Sequence, residues 1–301
     1  MTPERYGQLA ALATAFCWAL STVSMTDASR RVGSLSVNII RLTLAAVLFS
    51  IYGMLSPRGL PLPTDAPAHA WTWLLISGFI GFFLGDLCLF KAFVLIGARL
   101  TSLIMSLAPP ITALLAIPIQ GERLWFMNWV GMAITLAGVS WVALERQYDE
   151  DGGTQRISLG GIALGVLAAV GQAVGAVLSK LGMGPENYDA FASTQIRVFA
   201  GLAGFAVLLG VLKWYPKVLA AFRQPRALAS IALGTTVGPF LGVALFLTSL
   251  QTLDTGVAQT IVSIFPVLVI PFVIFLHKEK VSLRAIAGAM VAFAGILLLF
   301  S

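Results

Sequence analysis

The chain has 301 residues, of which 58% are hydrophobic and only 11% charged, with a mean hydropathy of +0.91. A soluble domain carries roughly 25% charged residues, so water cannot be the solvent for most of this surface, and lipid is. The 19 Lys and Arg against 13 Asp and Glu give +6. They lie in short gaps between apolar runs and form no basic face, which points to headgroup anchoring and away from nucleic acid.

A helix needs roughly 20 apolar residues to cross ~30 Å of hydrocarbon. Ten runs meet that need: 7–26, 36–55, 71–95, 98–119, 124–144, 158–180, 190–212, 227–250, 255–276 and 281–300. The first run has neither a charged leader of any length nor a clear cleavage site, so it is expected to stay as a span. Loop chemistry fills the gaps, as in 56–67 with its four prolines, 182–189 and 215–225. Cys17 and Cys88 sit inside apolar runs and offer neither zinc spacing nor a disulfide framework.

The charged stretch 145–156 lies at mid-chain. It reads as a linker (145–157) between a first five-helix unit (1–144) and a second (158–301). The halves repeat one another. Phe83-Leu84-Gly85 returns as Phe240-Leu241-Gly242, Pro109 as Pro266, Glu122 as Glu279, Gly131 as Gly288 and Gly138 as Gly295, all at one offset of 157. Arg41 and Arg197 match at 156. Chance identities would scatter over many offsets. Five spans per unit is odd, so the second half enters the membrane from the opposite side. The expected fold is all-α: ten transmembrane helices as two inverted repeats around a central cavity.

In the third helix of each half, Ser77, Gly81 and Gly85 match Gly234, Gly238 and Gly242. Small residues at four-residue spacing let backbones approach closely. In the fourth, Ser102, Ser106 and Pro109 match Gln259, Ser263 and Pro266, each set on one helix face. Pro109 and Pro266 remove the helical partners of the Met105 and Val262 carbonyls, and Pro110 does the same to Ser106. Broken backbone beside polar side chains suits a midplane cavity. In the first helices, Trp18, Ser21, Thr22 and Met25 share one side, and Gln172, Ala176 and Ser179 are their counterparts. Trp18 lies deeper than an interfacial belt and could offer a flat wall with one N–H donor.

Four ionisable residues lie inside runs: Arg41, Lys91, Arg197 and Asp86. Such groups are expensive in lipid and suggest function. Arg41 and Arg197 are near enough to helix ends to snorkel. Asp86 is deep, has Val243 as its repeat mate, and lies ~140° around the helix from Lys91. It is a candidate proton carrier or the partner of a base on another helix. Glu122 and Glu279, opening the fifth helices, are expected to favour those helix dipoles. The sequence has no phosphate loop, zinc-protease motif or nucleophile elbow, and no cofactor or metal is expected.

This pattern resembles the drug/metabolite transporter superfamily, and within it the ten-helix EamA-like transporters. The resemblance runs from Gly7 to Phe300. It rests on the tandem repeat, on Arg41 and Arg197, on the proline of each fourth helix, and on Gly121-Glu122-Arg123-Leu124 followed by Gly131 and Gly138. The second half departs from it with Lys278-Glu279-Lys280-Val281. The resemblance implies a basket of helices whose first, third and fourth members line a cavity, and metabolite substrates such as amino acids, with export common. The expected protein is a bacterial inner-membrane carrier and not an enzyme. Its partners would be a small-molecule substrate, the lipid bilayer and candidate protons, with monomer and homodimer both open. A passive channel and, behind it, an embedded enzyme are the alternatives. Twelve Lys and Arg fall on the side holding the linker and four on the side holding the termini, which predicts periplasmic termini. The resemblance implies the opposite.

Overall fold

The computed structural model describes residues 2–144, 158–265, 267–268 and 283–299, and their regular elements are all helical. The 145–157 linker, Pro266, His277 and Glu279 therefore lie outside the described residues, as does the Ser102 side chain. Helix α1 (Pro3–Val32) starts where Thr2 accepts from the Arg5 amide with proline in the first turn, the arrangement that satisfies free N–H groups. After α2 (Ser34–Leu55) comes α3 (Ala68–Gly78), which runs through a π-helical stretch, Phe79–Gly85, into α4 (Asp86–Met105). Helices α5 (Ala108–Gln120) and α6 (Phe126–Leu144) complete the first half. Gly121 ends α5 at φ +69°, a left-handed turn that a side chain would strain.

The second half begins with α7 (Leu159–Met183), capped by Ser158, and α8 (Ala190–Val211), capped by Asp189, whose carboxylate accepts from the Ala192 amide at 2.8 Å. A short surface helix, α9 (Tyr215–Ala221), precedes α10 (Pro225–Thr235). A second π-helical stretch, Thr236–Gly242, leads into α11 (Val243–Leu250). Helices α12 (Thr255–Val262) and α13 (Leu283–Leu299) follow. The two π-helical stretches occupy the same places in the two halves, 157 residues apart. Among the described residues seven helices are long and apolar enough to cross a membrane, and two shorter apolar ones join them.

One boundary differs from the sequence reading. The break expected between 95 and 98 is helical backbone, whereas the matching place in the second half, 251–254, is not helical. Contacts nonetheless show the chain changing direction. A Cβ on Gly161 would meet Ile96, one on Gly165 would meet Ile104, and Gln120 donates to the Val177 carbonyl at 2.7 Å. The chain passes α7 one way through Ile96 and the other way from Ile104, so the reversal falls between them.

Packing links each helix to a counterpart in the other half. The first helix of each half lies along the third of the other. A Cβ on Gly85 would sit 3.8 Å from Gly171, and one on Gly242 would sit 2.7 Å from the Trp18 ring. Helices α6 and α13 close through the repeated glycines, since a Cβ on Gly138 would lie 2.7 Å from the Gly288 carbonyl and one on Gly131 3.0 Å from that of Gly295. These two contacts run in opposite chain directions. The same holds for α2 against α8, where Gln195 bonds Ser50 while Gly201 faces Leu42. Without a hydrophobic drive in lipid, such close approach supplies packing energy through dispersion.

Candidate functional site

Between the halves lies a cavity of about 630 Å³. Trp18, Ser21, Thr22 and Met25 of α1 form one wall, and Gln172 of α7 faces it. A ring of aromatics, Phe82, Phe90, Phe93, Phe246 and Phe265, completes the apolar lining. Gly81 of one π-helical stretch and Gly238 and Pro239 of the other lie at the cavity surface.

Beneath the cavity sits a water-sized niche of about 20 Å³, sharing Trp18, Met105, Gln172 and Phe265 with it and adding Ser106, Pro109, Gln259 and Ser263. The two fourth helices make this floor by breaking at matching points. Helix α4 ends at Met105, and Ser106 and Leu107 turn with bonds to carbonyls three residues back before α5 restarts with proline in its first turn. Helix α12 ends at Val262 and Ser263 makes the corresponding turn, its hydroxyl donating to the Thr260 carbonyl at 2.7 Å. The Gln259 Oε1 is buried with no hydrogen-bond partner among the described residues.

The intramembrane arginines do not snorkel. Arg41 is 7% and Arg197 5% exposed, and both reach the cavity. Burial is offset locally. Arg41 donates to Asn38 at 2.9 Å, pairs with the Asp86 carboxylate and lies 5.2 Å from the Phe90 ring. Arg197 lies 4.9 Å over Phe82. The second helices therefore join the first, third and fourth at the cavity. Lys91 is exposed and outside it, because it is turned away from the Asp86 face. Pro110 is half-buried and lines neither space, so Pro109 alone of that pair reaches the niche. Ser21 serves two roles, donating to the Gly234 carbonyl at 2.9 Å while bordering the cavity. Ser179 is away from it, bonded to Ser77 and Gly175.

One end of the cavity reaches the exposed Arg30 and Val94. The other end of the bundle is held together by bonds between the halves. Glu122 is not in the first turn of α6, which starts at Phe126, so it does not serve that helix dipole as expected. It caps α12 instead, accepting from the Thr255 amide at 2.7 Å, and pairs with Lys180. Nearby, Arg58 and the Tyr188 hydroxyl both donate to Asp65. The Arg58 hydrogen bond holds the Asp65 carboxyl below the usual carboxylate range, and burial pushes the Tyr188 phenol up. The aromatic ring was not legible in the sequence; for Asp86 the sequence offered a base on another helix as one reading, which the Arg41 pair bears out, but did not name Arg41. Phenylalanine in an apolar run looks the same whether it faces lipid or a cavity. The pairing of residues 45 positions apart has no local signature.

Known proteins place the chain in context. The profile of the EamA-like transporter family matches residues 5–144 and again 159–301. The Escherichia coli K12 protein named "Uncharacterized inner membrane transporter YhbE" is 34% identical over 98 residues, 33% of this chain and 30% of that protein. Proteins of the same name from E. coli O157:H7 and Shigella flexneri match equally. The match thus spans less than a third of these curated relatives. A protein of known crystal structure superposes with a TM-score of 0.70 at 18% identity, over 97% of this chain and 95% of that one. That likeness shows a shared fold.

Proposed function

The chain belongs to the EamA-like transporter family, and from that premise we propose that it is a secondary carrier of a small organic metabolite in a bacterial inner membrane, working by alternating access and in the direction of export. The single observation that carries the mechanism is the one-sided cavity, which reaches exposed residues at Arg30 while the Lys180–Glu122 pair and its Thr255 bonds join the halves at the far end of the bundle. A cavity between two halves, open at one end and locked at the other, is one limb of an alternating-access cycle. We read the architecture as ten spans in two inverted repeats. The opposed directions of paired helices and the reversal between Ile96 and Ile104 support that reading. Trp18, Ser21, Gln172, Ser106, Gln259 and Ser263 are the proposed substrate-facing polar set.

The test is flux into liposomes holding the purified protein, with a metabolite chosen by thermal-shift screening. Saturable uptake with counterflow is the expected result. Unsaturable flux would mean a channel, and chemical conversion of the solute would mean an enzyme.

A further inference from the structure

The charges around the cavity do not balance. Among the described residues its charged lining is three arginines, Arg30, Arg41 and Arg197, and one carboxylate, Asp86. Asp86 is engaged by Arg41, and Arg30 is exposed at the mouth. Arg197 shares that carboxylate only at a distance, with no direct ion pair, so the two buried arginines keep one net positive charge. Arg197 is 5% exposed, and its Nε has no hydrogen-bond partner among the described residues. No carboxylate among the described residues forms an ion pair with it. Its position is nevertheless built. The guanidinium lies on the Phe82 ring, and a Cβ on Gly81 or Gly175 would come within 3.2 or 3.4 Å of its terminal nitrogen. Two glycines, one in the π-helical stretch and one in α7, thus leave room for the planar head to reach the cavity.

A buried cation without a counter-ion is costly, and a ligand that supplies one recovers that cost. Low-dielectric walls of one charge sign also concentrate ions of the other. Phe82 lies beside Arg197, Phe90, Phe93, Phe246 and Phe265 line the same cavity with the hydroxyls of Ser21, Thr22, Thr26 and Ser29, and the side chains of Trp18 and Gln172 make no hydrogen bonds among the described residues. We infer that the substrate is an organic monoanion, a single carboxylate on an apolar body, with its head on Arg197 and its body against Phe82, Phe246 and Phe265. One charge is enough, since one buried guanidinium is unmatched. A planar fork is also suited to a carboxylate's two oxygens. The inference rests on the carrier reading and names its substrate class.

The experiment is calorimetric titration of the purified full-length protein with three isosteric probes: 3-phenylpropionate, 3-phenylpropanamide and 3-phenylpropylamine. The carboxylate is expected to bind about tenfold more tightly than the amide, with the amine weakest. Arg197→Gln should erase the carboxylate's advantage and Arg197→Lys should keep part of it, while Lys91→Gln, outside the cavity, should leave the order intact. Amine binding as tight as the carboxylate's, no measurable carboxylate binding, or an Arg197→Gln protein with the wild-type ratio would overturn the inference. If Arg197→Gln does not fold, the wild-type order of the three probes decides. A protein that binds in the expected order but shows no counterflow fails the carrier reading alone. One that transports solutes with no preference for the anion fails this inference alone.

Discussion

Lys180 and Glu122 meet at 2.8 Å although they belong to different halves of the chain, and the same carboxylate oxygen accepts from both the amide and the hydroxyl of Thr255 at 2.7 Å. Lys180 also donates to the Leu253 carbonyl at 2.7 Å. One carboxylate therefore joins the end of α5, the end of α7 and the start of α12.

Lys180→Met would leave the Glu122 carboxylate, 5% exposed, without its counter-ion. Because Lys180 is itself partly exposed, the expected loss is at or below about 3 kcal/mol, the low end for breaking a buried pair. The sharper readout is access. With Cys17 and Cys88 replaced by alanine, a Leu253→Cys probe should react several-fold faster with a hydrophilic maleimide once Lys180→Met is added. Equal rates would mean that this pair does not hold the closed end.

The niche predicts a loss of transport without a loss of fold. Ser106 and Ser263 border a space of about 20 Å³ under Trp18 and Phe265, so a phenylalanine at either position must push upward into the cavity. Ser263→Phe should lower counterflow by about tenfold or more, since the ring takes up cavity space that the substrate needs. Membrane expression and the melting temperature should stay near wild type. Normal transport by Ser106→Phe and Ser263→Phe would remove the niche from the substrate path.

Much of this was legible in the sequence for physical reasons. Ten apolar runs declare their solvent, and identities at one offset declare a repeat. The paired glycines of α6 and α13 were visible because only glycine permits that approach, and Pro109 because proline in a first turn marks where a helix restarts. The partners of long polar side chains were not legible. Glu122 looked like a cap for the helix that follows it, yet it caps α12 in the other half. Arg41 lay close enough to a helix end to snorkel and instead found Asp86, 45 residues away. Such choices are made by tertiary packing, which a linear pattern does not encode.

Among the described residues Asp86 is the one carboxylate on the cavity wall, and it holds Arg41. We propose that a proton delivered there releases Arg41 into the cavity and so couples proton binding to a change of cavity charge. Asp86→Asn makes that change permanent. The expected outcome is loss of stimulation by a pH gradient, with solute exchange retained. Gradient-driven uptake and counterflow, measured in the same liposomes, separate the two. A mutant with the wild-type pH dependence would take Asp86 out of the coupling step.

Outside the membrane, Asp65 links the α2–α3 loop to Tyr188 of the second half. Its carboxyl is held low in the folded protein by the Arg58 hydrogen bond. A depressed folded value means that the stabilisation is fully present above the unfolded value, about 3.9, and is lost as pH falls through the folded one. Asp65→Asn should therefore lower the melting temperature slightly at neutral pH and flatten its decline below about pH 4. The effect should be small and weaken with salt, because the pair is partly exposed. An unchanged acid limb in the mutant would show that other carboxylates govern it.

The orientation of the cavity follows from where its mouth lies. Arg30 marks the mouth, and it belongs to the side with twelve basic residues, against four on the side with the termini and the Lys180–Glu122 lock. Lys and Arg in short loops are retained in the cytoplasm. The bias also swaps between the repeats, as inversion requires. The loop between the second and third spans has one basic residue, Arg58, while its mate has four: Lys213, Lys217, Arg223 and Arg226. We therefore propose that the termini are periplasmic and that the cavity described above opens to the cytosol, poised to load a substrate for export. C-terminal fusions to alkaline phosphatase and to green fluorescent protein decide the matter. Phosphatase activity with a dark fluorescent fusion is expected. Bright fluorescence with no phosphatase activity would reverse the assignment, placing the lock in the cytosol and the open cavity toward the periplasm, in a state that has already released its cargo.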